Sequence, residues 1–438
     1  FYNAIIEDKE NYESTGVSIG LDGDQQNYNI NQSRRIKSSQ LDAKLDYYYI
    51  INPKSNLNVT FGSIFSHQKF NSNLFQFLDD GLAFNPTPNF NNGLAINDIE
   101  YNFKDIYLGA HYRLKVGKFT ITPGFSLHSY GNNNTQFGQK FKDDFFKIMP
   151  DFETRVQFKN SESLTLRYDM QNQFTDITKL AQGLVLNNFS NIQFGEPELQ
   201  NALSHNLSLL YSSFNLFNYT NVFARLAYSK NIDQIRNITS FENVISTNTF
   251  FNSNFADESA TALGRIQRTF GKLIASVNLS FNYSKINQLI DSRRSVNTGF
   301  TRSYTPRLRT NFKKAPNISL KYKYTVSTNN QGPNETTFYT SAPSLDFDAY
   351  IWKSVTLKTD YTFTNQSLRG GNSDNFQTWN ASISYRKNRD TKWEFEVVAT
   401  NLLDIDSKVS NTATNLFVSE SRIFIQPRFI TFRLRYEL

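Results

Sequence analysis

The chain has 438 residues, with 46 basic and 39 acidic side chains giving a net charge of +7, and it has no cysteine, which excludes disulfides and thiolate metal sites. The basic residues are interleaved with acidic ones and form no patch or recognisable motif, which argues against nucleic acid as a partner. Aromatics reach 15% although the mean hydropathy is −0.51, and no run approaches the roughly 18 apolar residues of a membrane-spanning helix; a helical membrane protein is excluded, a barrel of alternating strands is not.

The opening stretch FYNAIIEDKE lacks the basic start and apolar run of a signal peptide, so either a leader was removed or the chain starts partway through a longer protein. A first strand is expected near 14–23. From 41 to 51, Leu41, Ala43, Leu45, Tyr47, Tyr49 and Ile51 share one face, with Asp42, Lys44 and Asp46 opposite. From 106 to 116, Ile106, Leu108, Ala110, Tyr112, Leu114 and Val116 line one face. Leu164, Leu166, Tyr168 and Met170 do so in 164–171. The pattern returns in 273–283, 318–324, 355–363, 379–385 and 393–399, and less cleanly in 257–270 and 300–312. It closes in FITFRLRYEL, where Ile430, Phe432, Leu434, Tyr436 and Leu438 alternate with Thr431, Arg433, Arg435 and Glu437. No segment has a helical period, so the fold is read as all-β.

The connections come in two alternating lengths. Short turns are expected at 52–56, 115–118, 159–162, 215–219, 269–272, 313–316, 350–354 and 387–391. Longer Asn- and Phe-rich loops are expected at 23–37, 70–97, 131–143, 175–201, 237–256, 286–298 and 403–420. Short turns on one side and long loops on the other describe an antiparallel transmembrane β-barrel with periplasmic turns and extracellular loops. The whole of 1–438 reads as one such barrel domain of about 18 visible strands, in the outer membrane of a Gram-negative cell. Aromatics gather at strand ends, as in DYYY at 46–49, Trp352 and Trp393, where an interfacial girdle belongs.

In a barrel the apolar face meets lipid. An arginine there at mid-depth costs about 2–4 kcal/mol, so Arg433 and Arg435 belong on the inward face, as do Arg113, Arg155, Arg167 and Arg225. Loops 70–97 and 175–201 carry exposed aromatics suited to contact with a ligand or partner, among them Phe75, Phe77, Phe84, Phe90 and Phe189. Catalytic chemistry has no visible constellation. His67, His111, His128 and His205 are scattered over different strands or loops, and no zinc spacing, nucleophile elbow or phosphate loop occurs. Asp79–Asp80 and Asp143–Asp144 are placed in or beside loops. Asp22 and Asp24 have calcium-like spacing without the bidentate Glu that follows, and read as a solvated turn. No enzyme, metal or cofactor is expected.

Two stretches carry a resemblance. In FSNIQFGEPELQNALSHNLSLLYSSFN, positions Gly195, Pro197, Leu199, Ser204, Asn206 and Tyr211 match an element midway through the TonB-dependent-receptor-like outer-membrane barrels of Bacteroidota. The closing stretch 393–438, with its NLLD turn and QPR entry, is similar to that family's last hairpin. Glu196 and Asn201 depart from the usual Asn and Pro, and the last residue is Leu where an aromatic is usual. The resemblance implies that this is the C-terminal part of a 22-stranded barrel, whose upstream strands, plug and TonB-contacting segment lie outside the sequence. It implies import of a large or scarce solute, with the inward arginines touching plug and solute. The alternative is a non-transporting barrel subunit of an outer-membrane protein export or assembly complex. Expected partners are outer-membrane lipid and lipopolysaccharide, TonB through the plug, and other outer-membrane proteins or a surface lipoprotein.

Overall fold

The computed structural model describes residues 2–18, 27–77, 82–84, 94–188, 191–242, 245–290, 293–313, 316–332, 334–352, 354–371, 373–388, 390–413 and 418–437. The chain runs through β1 (Tyr2–Ser18), β2 (Asn27–Asn52), β3 (Ser55–Phe77), the two-residue β4 (Ala83–Phe84), β5 (Ile96–Val116), β6 (Phe119–Gln136), β7 (Gln139–Lys159) and β8 (Glu162–Gln173). Then come β9 (Val185–Asn188), β10 (Asn191–Phe194), β11 (Ala202–Asn215), β12 (Thr220–Ile232), β13 (Gln234–Glu242), β14 (Ile245–Ser253), β15 (Asp257–Phe270) and β16 (Leu273–Ile290). The last third holds β17 (Arg293–Thr310), β18 (Asn317–Gln331), β19 (Asn334–Ile351), β20 (Val355–Leu368), β21 (Ser373–Tyr385), β22 (Trp393–Thr400), β23 (Ser407–Ala413), β24 (Val418–Phe424) and β25 (Phe429–Tyr436).

One antiparallel ladder runs β1-β2-β3-β5-β6-β7-β8-β11-β12-β15-β16-β17-β18-β19-β20-β21-β22-β25, which is eighteen strands among the described residues. The remaining strands sit in its connections. β4 pairs with the end of β3, β23 pairs with β24 as a separate hairpin, and β9, β10, β13 and β14 form an insert described below. At the tips of two short turns, Gly117 (φ +57°) and Gly271 (φ +60°) adopt the left-handed backbone that a side chain would disfavour.

Register sorts the side chains. Leu45, Tyr47 and Tyr49 of β2, Phe61 and Phe65 of β3, and Leu108 and Tyr112 of β5 share one exposed face, as do Phe146 and Ile148 of β7. The opposite face carries Phe70, Ile99, Tyr101 and Tyr130, all buried beneath the insert. The apolar exposed face is the one that meets lipid, and the covered face is the inward one.

That the ladder curls follows from its hydrogen bonds. β2 and β16 are nine pairings apart in the ladder, which laid flat would separate them by about 43 Å at about 4.8 Å per strand. Yet the four-stranded insert β9-β10-β14-β13 joins them: Gln32 of β2 bonds to Leu186 of β9, and β13 pairs with β16. An insert about 19 Å wide, plus the reach of one glutamine, bridges that span only if the wall bends toward it.

Several expected loops are strand. Segments 131–143 and 286–298 lie largely within β6–β7 and β16–β17, and 23–37 falls largely in β2. Asn and Asp are poor strand formers, but a backbone that already has ladder partners on both sides outweighs propensity, so the strands continue well past an apolar band about 25 Å tall. Asp143 and Asp144 are therefore strand residues facing Asn132 and Gly131. The segments 237–256 and 403–420 contain hairpins rather than open loops, 257–270 is a full member of the ladder, and 300–312 belongs to it as far as Thr310. Asp22, Asp24, Asp79 and Asp80 lie outside the described residues.

An inward-folded strap and the lumenal wall

Residues 174–188 and 191–201, between β8 and β11, fold onto the inward face. Asp176 starts a single 3-10 turn, Ile177–Leu180, by accepting a hydrogen bond from the Thr178 amide at 2.9 Å. Ile177, Leu180, Ala181, Val185 and Leu199 then pack against Phe70, Ile99, Tyr101, Phe103 and Tyr130 of the wall. Leu184, Leu186 and Ile192 form a second cluster with Leu74 and Ala95.

Burying irregular backbone requires partners for its N–H and C=O groups. Three wall amides supply them. Gln32 of β2 donates to the Leu186 carbonyl and accepts from the Leu186 N–H, both at 2.8 Å, as a neighbouring strand would. Asn97 of β5 accepts from Gly183 N–H at 2.8 Å and donates to the Leu184 carbonyl at 3.2 Å. Gln136 of β6 donates to the Leu180 carbonyl at 2.9 Å and accepts from Gln182 N–H at 3.1 Å. The approach is close enough to exclude side chains: a Cβ on Gly195 would stand 2.4 Å from Ala181 N and Lys179 O, and one on Gly183 would stand 2.6 Å from the Ile96 carbonyl.

The insert continues sideways. β10 pairs in parallel with β14, β14 with β13, and β13 with β16 through Ile238↔Leu289 and Thr239↔Ile290. At that end Arg236 makes a two-point contact with the Asp257 carboxylate at 2.9 and 2.8 Å and also donates to the Asn287 and Phe255 carbonyls. The result is a strap fastened to β2, β5 and β6 on one side of the mouth and to β15 and β16 on another.

Below the strap the inward wall is polar and paired. His111 bonds to Asp151 at 2.9 Å across Gly124, where a Cβ would overlap the imidazole at 2.2 Å. His128 bonds to Asp105 through Nδ1 at 3.0 Å and to Ser126 Oγ through Nε2 at 2.9 Å, with Tyr107 and Tyr130 stacked on either side at 5.0 and 5.3 Å. The order Ser–His–Asp has the distances of a proton relay. However, Ser126 lies in mid-strand, paired with Gly109 on one side and Met149 on the other, so its backbone donors are committed to the ladder rather than available to a developing oxyanion.

All six arginines singled out from the sequence have inward register. Arg167 pairs with Glu153 at 3.4 Å, Arg433 with Glu396 at 3.5 Å, and Arg435 with Glu394 and Glu396 at 3.3 Å. Arg113, Arg155 and Arg225 are exposed and have no ion pair among the described residues. The six do not converge: four lie on β5, β7, β8 and β12, and two on β25 at the far end of the ladder. Of the aromatics, Phe75 is half-buried on β3, Phe77 and Phe84 belong to the β3–β4 ladder, and Phe90 and Phe189 lie outside the described residues.

The matched residues near 195–211 now have physical roles. Gly195 allows the backbone crossing, Pro197 accepts from Asn134 at 3.3 Å, Leu199 fills the strap core, and Tyr211 donates to Glu162 at 2.9 Å. Sequence reading missed the strap and the residues that hold it. The available signal was Gln32, Asn97 and Gln136, amides at inward strand positions near the long connections.

No curated protein matches the chain. Among solved structures it is similar to the siderophore receptor PirA from Pseudomonas aeruginosa (10% identity, TM-score 0.38, 91% of this chain and 74% of that one). It is also similar to the FrpB iron transporter from Neisseria meningitidis (11%, 0.49, 99% and 63%). A third is the outer membrane transporter YddB from Escherichia coli (10%, 0.45, 99% and 59%). The chain thus spans less than two thirds of the length of two of these three. Residues 2–436 match the model of the outer membrane protein β-barrel family, and with its ladder of lipid-facing strands the chain belongs to that family and to the outer membrane.

Proposed function

We propose that the chain forms the wall and mouth of a gated import passage of the TonB-dependent type, serving a solute too large or scarce for open pores. The strap carries this reading. A passive pore needs a clear lumen, whereas here the chain spends two inserts, a buried ion pair and three buried amides on bridging its own mouth. Beneath it, paired His, Asp, Arg and Glu side chains, together with Arg113, Arg155 and Arg225 that have no ion pair among the described residues, give a wet and charged path. The matches at 195–211 and 393–438 support an energy-coupled importer, in which TonB would act through a plug. The inward arginines would then meet plug and solute.

The test is uptake in cells carrying or lacking the full gene, using a panel of labelled metal chelates and oligosaccharides, with and without a protonophore. At least one solute is expected to enter only with the gene and only with the proton gradient. Uptake indifferent to both, together with fixed-stoichiometry copurification with other barrels, would overturn the importer and favour a scaffold subunit.

A further inference from the structure

The lipid-facing side of β11–β17 breaks the pattern of its neighbours. A row of polar residues crosses it in register: His205 opposite Lys230, Lys230 opposite Glu258, and Glu258 opposite Lys285. Tyr168 bonds to His205 at 2.8 Å, Tyr228 donates to Glu258 at 3.1 Å, and Lys285 lies 3.7 Å from the same carboxylate. On the next strand Arg302 has the same outward register, because it faces Phe281 and Val326. Its guanidinium lies 5.2 Å above the Phe300 ring, and its buried Nε has no hydrogen-bond partner. Lys230, Lys285 and Arg302 against Glu258 leave a surplus of two positive charges on a face otherwise built for hydrocarbon.

The row has a definite depth. Phe270 lies beside the short turn 271–272, on the periplasmic side, and Glu258 is twelve residue steps along β15 from it. At about 3.4 Å per residue and a tilt of about 40°, that is about 31 Å, just beyond an apolar band about 25 Å tall. Arg302, eight residues along β17 from Thr310, starts about 21 Å up, with its guanidinium over Phe300 two residues nearer the outer face, whereas Lys230, Glu258 and Lys285 sit at the outer-leaflet headgroup level. Directly below them runs an apolar furrow of about 390 Å³. Small Ala260 and Ala262 form its floor between Leu207 and Leu226 on one side and Phe281 and Phe300 on the other.

We propose that this is a binding site for a phosphorylated outer-leaflet glycolipid, the lipid A portion of lipopolysaccharide. One acyl chain lies in the furrow and a phosphate is held by Lys285 and Arg302, with Lys230 beside them. A phosphate monoester carries about −1.5 to −2 charges, matching the surplus, and the Arg302 guanidinium has no ion pair among the described residues. The depth selects a lipid of the outer leaflet over one of the inner.

The experiment uses the full protein purified in mild detergent and native mass spectrometry with three probes: bis-phosphorylated lipid A, its mono-phosphorylated form and phosphatidylglycerol. The wild type should retain bis-phosphorylated lipid A at least about tenfold better than phosphatidylglycerol, with the mono-phosphorylated form between them. The double variant Lys285→Gln/Arg302→Gln should lose that preference. Ala262→Phe, which fills the furrow and keeps every charge, should lose retention of all three, and heat-modifiable gel migration establishes that each variant is folded. Equal retention by wild type and folded double variant, or no preference for lipid A over phosphatidylglycerol, would overturn the site. Should the double variant not fold, retention unchanged in Ala262→Phe would overturn it alone.

Discussion

Arg236 and Asp257 form a two-point ion pair at 2.8 and 2.9 Å with side chains only 4% and 9% exposed, and this pair fastens the strap to the wall. Removing one partner of such a pair strands the other charge, at a cost of about 3–5 kcal/mol. Asp257→Ala is therefore expected to release β13–β14 while the ladder persists. Hydrogen exchange should rise sharply across 234–253 and stay unchanged in β19–β21. Uniform protection in the variant would remove the latch from the account.

Gly195 gives a steric prediction. A methyl there meets backbone atoms of residues 179 and 181 at 2.4 Å, and backbone cannot swing aside. Gly195→Ala should cost about 1–3 kcal/mol, felt as strap opening. Gly264→Ala is the control, since its Cβ would rest at an ordinary 3.7 Å from Leu279. Susceptibility of 177–201 to added protease distinguishes the two, and equal resistance would contradict the close-approach argument.

The terminal arginines should behave differently. Arg433 and Arg435 are 52% and 60% exposed despite their Glu394 and Glu396 partners, so screening leaves each pair worth less than about 1 kcal/mol. Arg435→Ala is expected to leave the unfolding temperature nearly unaltered. Its effect should be on the charge of the lumen, read as reduced anion preference in bilayer recordings of the strap-released protein.

Beyond the last strand, Glu437 has its carboxyl held below its ordinary value of 4.5 by hydrogen bonds from Arg386. A lowered folded-state value stabilises above the unfolded one and is lost as pH falls through it. The Glu437 N–H, which donates to the Lys392 carbonyl at 2.9 Å, should exchange more slowly in wild type than in Arg386→Gln at pH 6. That difference should shrink steadily below pH 4.5. A difference that persists unchanged at pH 3 would show that the pair does not hold this end.

The wall was legible because it obeys a period of two: once Leu45, Leu108 and Phe432 point to lipid, Arg113 and Arg433 have nowhere to go but inward. Where polar residues continue the strand, as in Asn132–Asn134, alternation loses its contrast. A loop reading then follows, although the ladder extends there. The strap was invisible for a different reason. Gln32 meets Leu186 across 154 positions, and Arg236 meets Asp257 only because β13 takes the place beside β16 that β15 vacates; no local pattern encodes either contact. The relay-like Ser126–His128–Asp105 array was missed likewise, since Asp105 comes from the neighbouring strand. Arg302 escaped because it violates the rule that found the others.

Cross-linking decides whether β9–β10 and β13–β14 bridge the lumen between β2 and β16. The chain has no cysteine, so introduced pairs are unambiguous. Gln32→Cys/Leu186→Cys and Ile238→Cys/Leu289→Cys should each join through a short bis-maleimide in intact outer membranes, and the four substitutions together should give both links in one molecule. Thiols at 186 and 238 that stay unlinked, yet react freely with a membrane-impermeant maleimide, would place these segments outside the barrel and contradict the account.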